Sequence, residues 1–512
     1  MPILHDTRRG YDLLTCEWIP VHGKRPLGIQ GLFAQAHETE DIVTPIAPAG
    51  AGLWRILTVI AARVTGLDQA SDFPTWEARR EAILSAGRFD SSEVNAYLGK
   101  HKDRFDLFNS ERPFLQDPRL AAECGKVSGL NKLILSRPAG NNQVWFDHHT
   151  DLESRPIPPE EAVWHLLAQL YYGPSGRCTS RTVRGKSEAN STAGPLRGTI
   201  SFHPLGRTVF ESLVIGIPYP GSQVTGEDVA PWEQEASNDP LGIPPRPTGV
   251  AGVLTGRFRH AVLLSSENGL VDNAWITWAW RQPTPTVHDP YLVYQESRTG
   301  DVYARGARSE RALWRDVDAL LLHDVGDERA RRPDVLDKAQ TLPFETLDAL
   351  RVRAFGFDQD GQTRDRQWFT AITPAVLTLL QDPQSAEGVS RVRIAAERVG
   401  RHLRTALRNA WVAINDPSNG QGPPVRSDIP PGPWRDVGDA LYWPRAEPVF
   451  WAKVSARDFD DPALDFIKLA LRVYDDVTER AGSAPRARRA VESARGYLFA
   501  AHKPAQPRRT HA

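Results

Sequence analysis

Apolar residues in the first part of the chain change repeatedly between strand spacing and helical spacing. Residues 11–21 are interpreted as a short strand, with Leu13, Trp18 and Ile19 as apolar positions and Pro20 ending it. The Pro- and Gly-rich stretch 45–52 is interpreted as a loop. The apolar residues behind it follow the spacing of one helix face: Leu53, Ile56, Leu57, Ile60 and Val64.

A second helix is predicted after Pro158-Pro159, because Glu160 and Glu161 lie in its first turn, where the helix dipole favours carboxylates. Its expected buried face consists of Val163, Leu166, Leu167 and Leu170. Residues 199–294 then alternate short β-type runs with Pro and Gly. Ile276, Trp278 and Trp280 have a period of two there, which predicts one strand face that packs into the core.

The pattern becomes helical after about residue 370. Apolar residues with helical spacing are Val392, Ala395, Ala396, Val399, Leu403, Ala406, Leu407 and Ala410, then Leu464, Ile467, Leu471 and Tyr474. Residues 490–501 predict a last helix, and Pro/Gly-rich connectors separate these segments. The sequence therefore predicts an α+β protein: a large mixed α/β domain over residues 1–368, followed by a C-terminal four-helix bundle over residues 369–512.

Composition and charge narrow the functional classes. Lys plus Arg total 62 against 63 Asp plus Glu, a net charge of −1, so general binding of nucleic acid by the whole surface is not expected, although local basic patches remain possible. The three cysteines are Cys16, Cys124 and Cys178; their wide spacing favours reduced thiols in a cytoplasm over a disulfide framework or zinc site. We find no signal-peptide pattern and no apolar run of ~20 residues that predicts a membrane span.

Two motifs invite a chemical interpretation. Gly185-Lys186-Ser187 ends like a phosphate-binding loop, but Ser180 stands where that loop needs its first glycine, so a flexible basic loop over residues 177–197 is expected instead. Asp147, His148, His149 and Asp151 are possible metal ligands, and they leave a metal-dependent phosphohydrolase as an alternative. No distant partner motif accompanies them, so neither a metal nor a cofactor is expected.

No nucleophile elbow, dinucleotide-binding motif or paired catalytic carboxylates are recognisable, which favours a binding or assembly subunit over an enzyme. Basic residues instead form a stripe along the long predicted helix: Arg393, Arg401, Arg404 and Arg408. Such a stripe is typical of a solvated helix face, of a surface for nucleic acid, or of a scaffold that docks acidic proteins.

Several segments together resemble the large subunit of Cascade, the type I-E CRISPR-associated surveillance complex (the CasA family). Residues 13–21 are similar to its L-x-x-x-W-I-P-V segment, and residues 111–116 to its HPF-hydrophobic-Q segment. Residues 127–140 are similar to its VSG…N…PG loop, and residues 194–199 occupy the place of a Gly-rich turn. Their order over the first 370 residues, with a helical bundle behind them, makes the resemblance specific.

The resemblance implies a non-catalytic subunit of an RNA-guided defence complex. Its partners would be the subunits of Cascade that carry the guide RNA, target double-stranded DNA, and a helicase-nuclease recruited after R-loop formation. Within that complex it would read the protospacer-adjacent motif and help to start strand separation, while the guide RNA reads the remaining sequence by pairing.

By the same resemblance, the motif-reading loop would contain Asn131, Ile134, Leu135, Ser136 and Arg137. Ser136 would bond a base edge, Arg137 a phosphate, and Ile134 and Leu135 would press on the sugar walls of the minor groove. A buried strand is the other interpretation of this apolar run.

The family's wedge hairpin would correspond to residues 357–363, with Asp360-Gly361 as its turn. Gln362 is the first choice for the inserted amide and Gln359 the second, while Arg364 and Arg366 would hold the phosphates of the separated strand.

Two features of the family have no counterpart by sequence. Residues 146–158 contain no glycine where the family has a Gly-rich loop, and residues 265–269 contain no lysine where it has a lysine finger. Arg257 or Arg259 is expected to replace the finger. Arg401, Arg404 and Arg408 on the helical domain would form a track for a DNA strand.

Overall fold

The computed structural model describes residues 10–139, 148–150, 154–221, 227–297, 299–322, 330–360, 364–415, 432–482 and 484–502. The α-helices are, in chain order, α1 (Ile29–Ala34), α2 (Ala47–Thr65), α3 (Phe73–Ala86), α4 (Ser91–Lys100), α5 (Leu120–Glu123), α6 (Leu130–Leu133), α7 (Pro159–Tyr172), α8 (Val209–Gly216), α9 (Val250–Thr255), α10 (Val317–Leu321), α11 (Asp334–Asp337), α12 (Phe344–Ala349), α13 (Pro383–Asn415), α14 (Trp434–Ala456), α15 (Ala463–Thr478) and α16 (Pro485–Phe499). The strands are β1 (Gly176–Val183), β2 (Lys186–Ser191), β3 (Ile200–Leu205), β4 (His260–Glu267), β5 (Leu270–Trp278), β6 (Tyr294–Glu296), β7 (Val302–Ala304), β8 (Arg351–Asp360) and β9 (Arg364–Ile372). The predicted α+β class is confirmed.

The chain forms two compact units. The first is Met1–Glu310 with Gly326–Thr378, and the second is Arg311–Val325 with Leu379–Ala512. This division corrects the predicted boundary at 368/369, because β9 continues to Ile372 within the first unit and the segment 311–325 belongs with the helices of the second.

Helix α2 is the centre of the first unit. Nearly all of its residues are buried, and it contacts α7, α8, α9 and β8, so this helix is apolar on all sides. It begins at Ala47, which corrects the predicted loop over residues 45–52. Small residues allow that close packing: a Cβ on Gly52 would lie 2.5 Å from the ring of Tyr171 on α7.

The strands form small antiparallel sheets: β1–β2, β3–β8–β9, β4–β5 and β6–β7. The predicted core face of β5 is confirmed for Ile276 and Trp278, which are buried, whereas Trp280 lies beyond the strand and is partly exposed. The predicted strand over residues 11–21 is wrong: isolated bridges such as Ile19↔Leu27 hold this segment, because turns interrupt its pairing. The predicted basic loop is a β1–β2 hairpin, whose turn places Arg184 and Gly185 at φ values of 48° and 78°.

The second unit contains α10 and the four helices α13 to α16. Helix α13 packs against α14, α15 and α16, and its predicted apolar face is buried from Val392 to Ala410. Within the described residues, no helix combines the length and apolarity needed to cross a bilayer.

Candidate nucleic-acid interface

The motif loop leaves the β-sheet at Ser128. The Ser128 amide donates to the Ala274 carbonyl at 2.8 Å, its hydroxyl accepts from the Ile276 amide at 2.7 Å, and the same hydroxyl lies 2.6 Å from that of Thr179 on β1. Gly129 follows with φ of 91°, a conformation that side chains disfavour. Serine and glycine thus fix the direction in which the loop departs.

Polar side chains then close the loop on itself. Buried Asn131 donates to the Thr150 carbonyl at 2.8 Å, and Arg137 donates to the Arg155 carbonyl at 2.8 Å and to the Asn131 side-chain oxygen at 3.4 Å. Asn131 therefore holds the loop and has no free amide for DNA. Arg137 combines this internal role with partial exposure.

The structure corrects the predicted contact of Ile134 with DNA. Ile134 directly follows helix α6 and is only 3% exposed, beside buried Leu133; the chain then turns, so this apolar run is neither a strand nor a groove reader. Leu135 is half-buried, and Ser136 is the exposed residue at the tip. Of the five predicted loop residues, Ser136 presents its side chain to solvent most fully.

The predicted wedge is the hairpin of β8 and β9, paired from Arg353↔Ile372 to Asp360↔Arg364. Gly361 and Gln362 lie outside the described residues, as does the side chain of Arg364. Gln359 pairs with Asp365 close to the turn: its Oε1 accepts from the Gly198 amide at 2.9 Å and its Nε2 donates to Asp365 at 2.7 Å. Its amide is committed to the fold, so Gln362 remains the first choice for the wedge.

Arg366 lies on β9, two residues after Arg364. Its guanidinium is 56% exposed and lies 3.8 Å from the buried carboxylate of Asp358, which also accepts two bonds from Ser309 at 2.9 Å. Arg366 is thus available to solvent on the hairpin that the sequence predicted.

Three cations lie near His260: Arg197, Lys132 and Arg259. Burial, together with the charges of Arg197, Lys132 and Arg259, lowers the pKa of His260 to about 4. His260 contacts the Pro174 carbonyl through Nε2 at 2.9 Å, so it is a neutral donor there. Arg197 joins the group to the wedge, because it donates to the Tyr172 carbonyl and to Asp365, both at 3.0 Å.

Two of these cations have no carboxylate partner in the described part of the chain. Lys132 on α6 is half-buried, and burial lowers its pKa. Arg259 donates only to the Ala193 carbonyl, at 3.4 Å, and its buried Nε has no partner. A partly desolvated cation without a counter-ion is stabilised by an anion that binds beside it. Sequence reasoning missed Lys132, although a lysine directly after Asn131 is visible in the sequence.

Arg257 does not share this freedom. Its Nε donates to the Val253 carbonyl at 2.7 Å, and its guanidinium forms an ion pair with buried Asp289. Of the two expected replacements for the lysine finger, Arg259 is therefore the available one. The loop that lacks the lysine is a tight turn at Asn268 and Gly269, with φ values of 53° and 80°.

The basic stripe on α13 divides by partner. Arg393 donates to Asp318 at 2.6 Å, and Arg404 forms an ion pair with Asp439. Arg401 and Arg408 are exposed and make no ion pair with any described residue. Arg393 and Arg404 thus stabilise the second unit, whereas Arg401 and Arg408 present their charges to solvent.

The metal candidates find no support in the described residues. His148 and His149 are described, whereas Asp147 and Asp151 lie outside the described residues. Across the described part of the chain, no three His, Cys, Asp or Glu side chains are grouped as metal ligands.

Known proteins match this chain over most of its length. The family model for CRISPR-associated protein Cse1 matches residues 12–480. A curated relative from Thermus thermophilus, CRISPR-associated protein CasA/Cse1, is 26% identical over 489 residues and is covered to 90%, as is this chain.

Solved structures agree with this match. One chain of a CRISPR RNA-guided surveillance complex superposes with a TM-score of 0.85 at 48% identity, over 96% of this chain and 99% of that chain. A chain of a pre-nicking surveillance complex gives 0.77 at 47% identity, over 97% and 100%.

Proposed function

Because this chain belongs to the CRISPR-associated Cse1 (CasA) family, the large subunits of CRISPR surveillance complexes, we propose that it reads the protospacer-adjacent motif of double-stranded DNA for a type I-E Cascade. In this role it contributes no catalytic step. It works in the cytoplasm with the guide-RNA-carrying subunits, helps to open the duplex and form the R-loop, and recruits the helicase-nuclease that degrades the target.

The observation that carries this proposal is the placement of Lys132 and Arg259. Both are partly desolvated cations without carboxylate partners in the described part of the chain, and both lie close enough to His260 to lower its pKa. Lys132 lies on α6, four residues before exposed Ser136. DNA phosphates are the anions that such a group would hold, and each neutralised phosphate releases counterions. Phosphate contacts here would position the duplex against the loop without reading its sequence.

Reading would fall to the tip of the motif loop. The minor groove offers few distinguishing atoms, so a short hydroxyl such as that of Ser136 fits it better than a long side chain. Arg137 lies next to it and can approach the adjacent phosphate. Because Asn131 and Ser128 fix the loop beforehand, little ordering entropy is lost on binding.

Strand separation would follow at the wedge. The amide of Gln362 would replace base hydrogen bonds lost from the first pair, while Arg364 and Arg366 hold the phosphates of the parted strand. On the second unit, Arg401 and Arg408, with Arg404 beside them, would form a separate track for a DNA strand.

The test is DNA binding by the complex reconstituted with and without this chain, on targets that differ only in the adjacent motif. Motif-dependent binding should require the chain and should be lost in Ser136→Asp, whose carboxylate repels the groove. Ser92→Asp is the matched control, because it adds the same charge in the first turn of α4, where the dipole favours it. Binding that is equally strong without the chain would return the case to a protein-only scaffold or to the phosphohydrolase alternative.

A second arm tests the cations. Lys132→Met keeps an apolar stem of similar length and should reduce the slope of log K against log salt by about 1, equally on all motifs. Lys468→Met on α15 is the control, since Lys468 is exposed and paired with Asp465 at 3.3 Å. An unchanged slope in Lys132→Met, with motif-dependent binding intact, would remove the phosphate role of Lys132 but leave the reading role of the loop.

A further inference from the structure

A cavity outside the proposed interface is lined by the segment that resembles the HPF-hydrophobic-Q motif. Its volume is about 190 Å³, and residues 111–119 form one wall. A closed apolar cavity of ~150 Å³ takes one benzene-sized ring, so this space suits a single planar ring and not a base pair. Motif reading by the loop makes no use of this segment.

Backbone strain marks the wall at Leu115. The Gln116 amide closes a turn on the Pro113 carbonyl at 3.0 Å, and Leu115 occupies the third position with φ of 56°. Three other described residues outside glycine have positive φ: Arg184 and Asn268 lie in hairpin turns, and Arg457 ends α14. Leu115 lies in neither setting, and a leucine held at a position suited to glycine indicates a constraint from function.

The neighbouring residues hold this turn rigidly. Buried Phe114 stacks on Phe105 with ring centroids 5.2 Å apart. The Gln116 side chain donates to the Leu107 carbonyl at 2.9 Å and accepts from the Leu264 amide at 2.7 Å. The wall is therefore preformed, which favours ligand binding because little order must be gained.

Two guanidiniums at this cavity lack carboxylate partners among the described residues. Arg112 donates to the backbone carbonyls of Gln234 and Glu235, which leave its charge uncompensated. Arg104 makes no ion pair with any described residue, and burial together with the charge of Arg112 lowers its pKa. Of the lining carboxylates, Asp117 is paired with Arg119 and Arg181, and exposed Glu111 lies at the rim. Adjacent like charges are relieved by an anion between them.

Aromatic rings provide the remaining wall. Trp232 is buried, while Phe258 and Trp280 are partly exposed and line the same cavity. Aromatic faces bind nucleobases of any sequence by stacking, and guanidiniums bind the attached phosphate. We propose that this cavity binds one unpaired nucleotide, with its base against Phe258 and Trp280 and its phosphate between Arg104 and Arg112.

The test measures fluorescence anisotropy of 5′-labelled tetranucleotides with the full chain: dT4, rU4, and a tetramer with the same backbone and abasic sugars. The base-containing tetramers should bind about tenfold tighter than the abasic one, since stacking has that order of strength. The tighter of the dT4 and rU4 arms identifies the source as a separated DNA strand or a guide RNA.

Variants locate the binding. Arg104→Ala should weaken binding of all three tetramers about tenfold, the loss of one charge-assisted bond, and Trp280→Leu should weaken only the base-containing two. Arg88→Ala, which removes an exposed cation that does not line the cavity, should leave all affinities unchanged. Urea midpoints equal to the parent's show that each variant is folded.

Equal affinity for abasic and base-containing tetramers, or no effect of Arg104→Ala, overturns the proposal. It is also overturned if Arg104→Ala binds the tetramers normally but fails to enter the guide-RNA complex, since the cavity would then be a protein contact. Motif-dependent binding of duplex DNA is a separate readout and does not depend on this cavity.

Discussion

The carboxylate of Asp318 and the guanidinium of Arg393 meet at 2.6 Å, although 75 residues separate them along the chain. Asp318 lies on α10, in the segment 311–325 that joins the second unit, and its oxygen also accepts from Ser390 at 3.2 Å. Both side chains are largely buried, so this pair fastens the segment to α13. Arg393 thus stabilises the fold of this unit, and its charge does not contribute to the basic stripe.

Removing one partner should be costly. Asp318→Ala leaves the Arg393 charge buried and unpaired, and we expect a loss of about 3–5 kcal/mol in the free energy of unfolding. Asp476→Ala breaks an exposed pair with Arg445 in the same unit and should cost no more than about 1 kcal/mol. Urea unfolding followed by circular dichroism compares them, and similar losses for both variants would contradict the structural role of the Asp318 pair.

Helices with a clean apolar period were predictable from the sequence. The core faces of α2, α7 and α13 follow the expected spacing, because burial on one or all sides selects apolar residues at fixed intervals. On α15 only Ile467 and Tyr474 of the expected face are buried, whereas Leu464 is exposed and Leu471 is half-buried. Four helices were predicted for the bundle, but the sequence pattern did not indicate where α14 lies. It contains Pro444 and Pro448, residues that normally argue against a helix interior.

Strands and unit boundaries were less predictable, because they depend on partners far along the chain. Residues 11–21 pair only through single bridges, for example Val21↔Ile42, so their apolar residues did not produce a strand. The chain leaves the first unit at residue 311 and returns to it at residue 326, and no change in amino-acid composition marks either position.

The side chains of the candidate interface were likewise only partly predictable from the sequence. The resemblance located the motif loop and the wedge hairpin, but side-chain orientation required tertiary contacts: Ile134 is buried and Gln359 is bonded within the fold. Lys132 and Arg259 are brought together near His260 across 127 residues by packing of α6 on the sheet, which no local pattern reports.

Acid should destabilise the fold through His260. Its pKa is about 4 in the folded chain against 6.5 ordinarily, so between these values the unfolded chain binds a proton that the folded chain does not. The free energy of unfolding therefore falls as pH drops through this window, by about 1.4 kcal/mol per pH unit from this group. His260→Gln keeps a donor for Pro174 and should show a slope shallower by that amount in urea titrations from pH 6.5 to 4.5. Parallel slopes for parent and variant would mean that His260 is protonated in the fold.

The two wedge glutamines should separate by their effects. Gln359→Ala removes the bonds to Gly198 and Asp365 and should lower the free energy of unfolding by about 1–2 kcal/mol. Gln362→Ala should leave stability unchanged but slow the opening of the first base pair, measured with 2-aminopurine next to the motif. Slow opening in Gln359→Ala together with normal opening in Gln362→Ala would exchange their roles.

The arginines of α13 should differ in their effect on the salt dependence of DNA binding. Arg401→Ala and Arg408→Ala each remove an exposed charge without a described ion-pair partner, so each should reduce the slope of log K against log salt by about 1. Arg404→Ala is the internal comparison on the same helix: its guanidinium is already paired with Asp439, and its removal should change the slope less. Filter binding of the reconstituted complex at several salt concentrations measures all three. A slope that falls equally in Arg404→Ala would show that DNA displaces Asp439 from this pair, and slopes unchanged in Arg401→Ala and Arg408→Ala would exclude this face as a strand track.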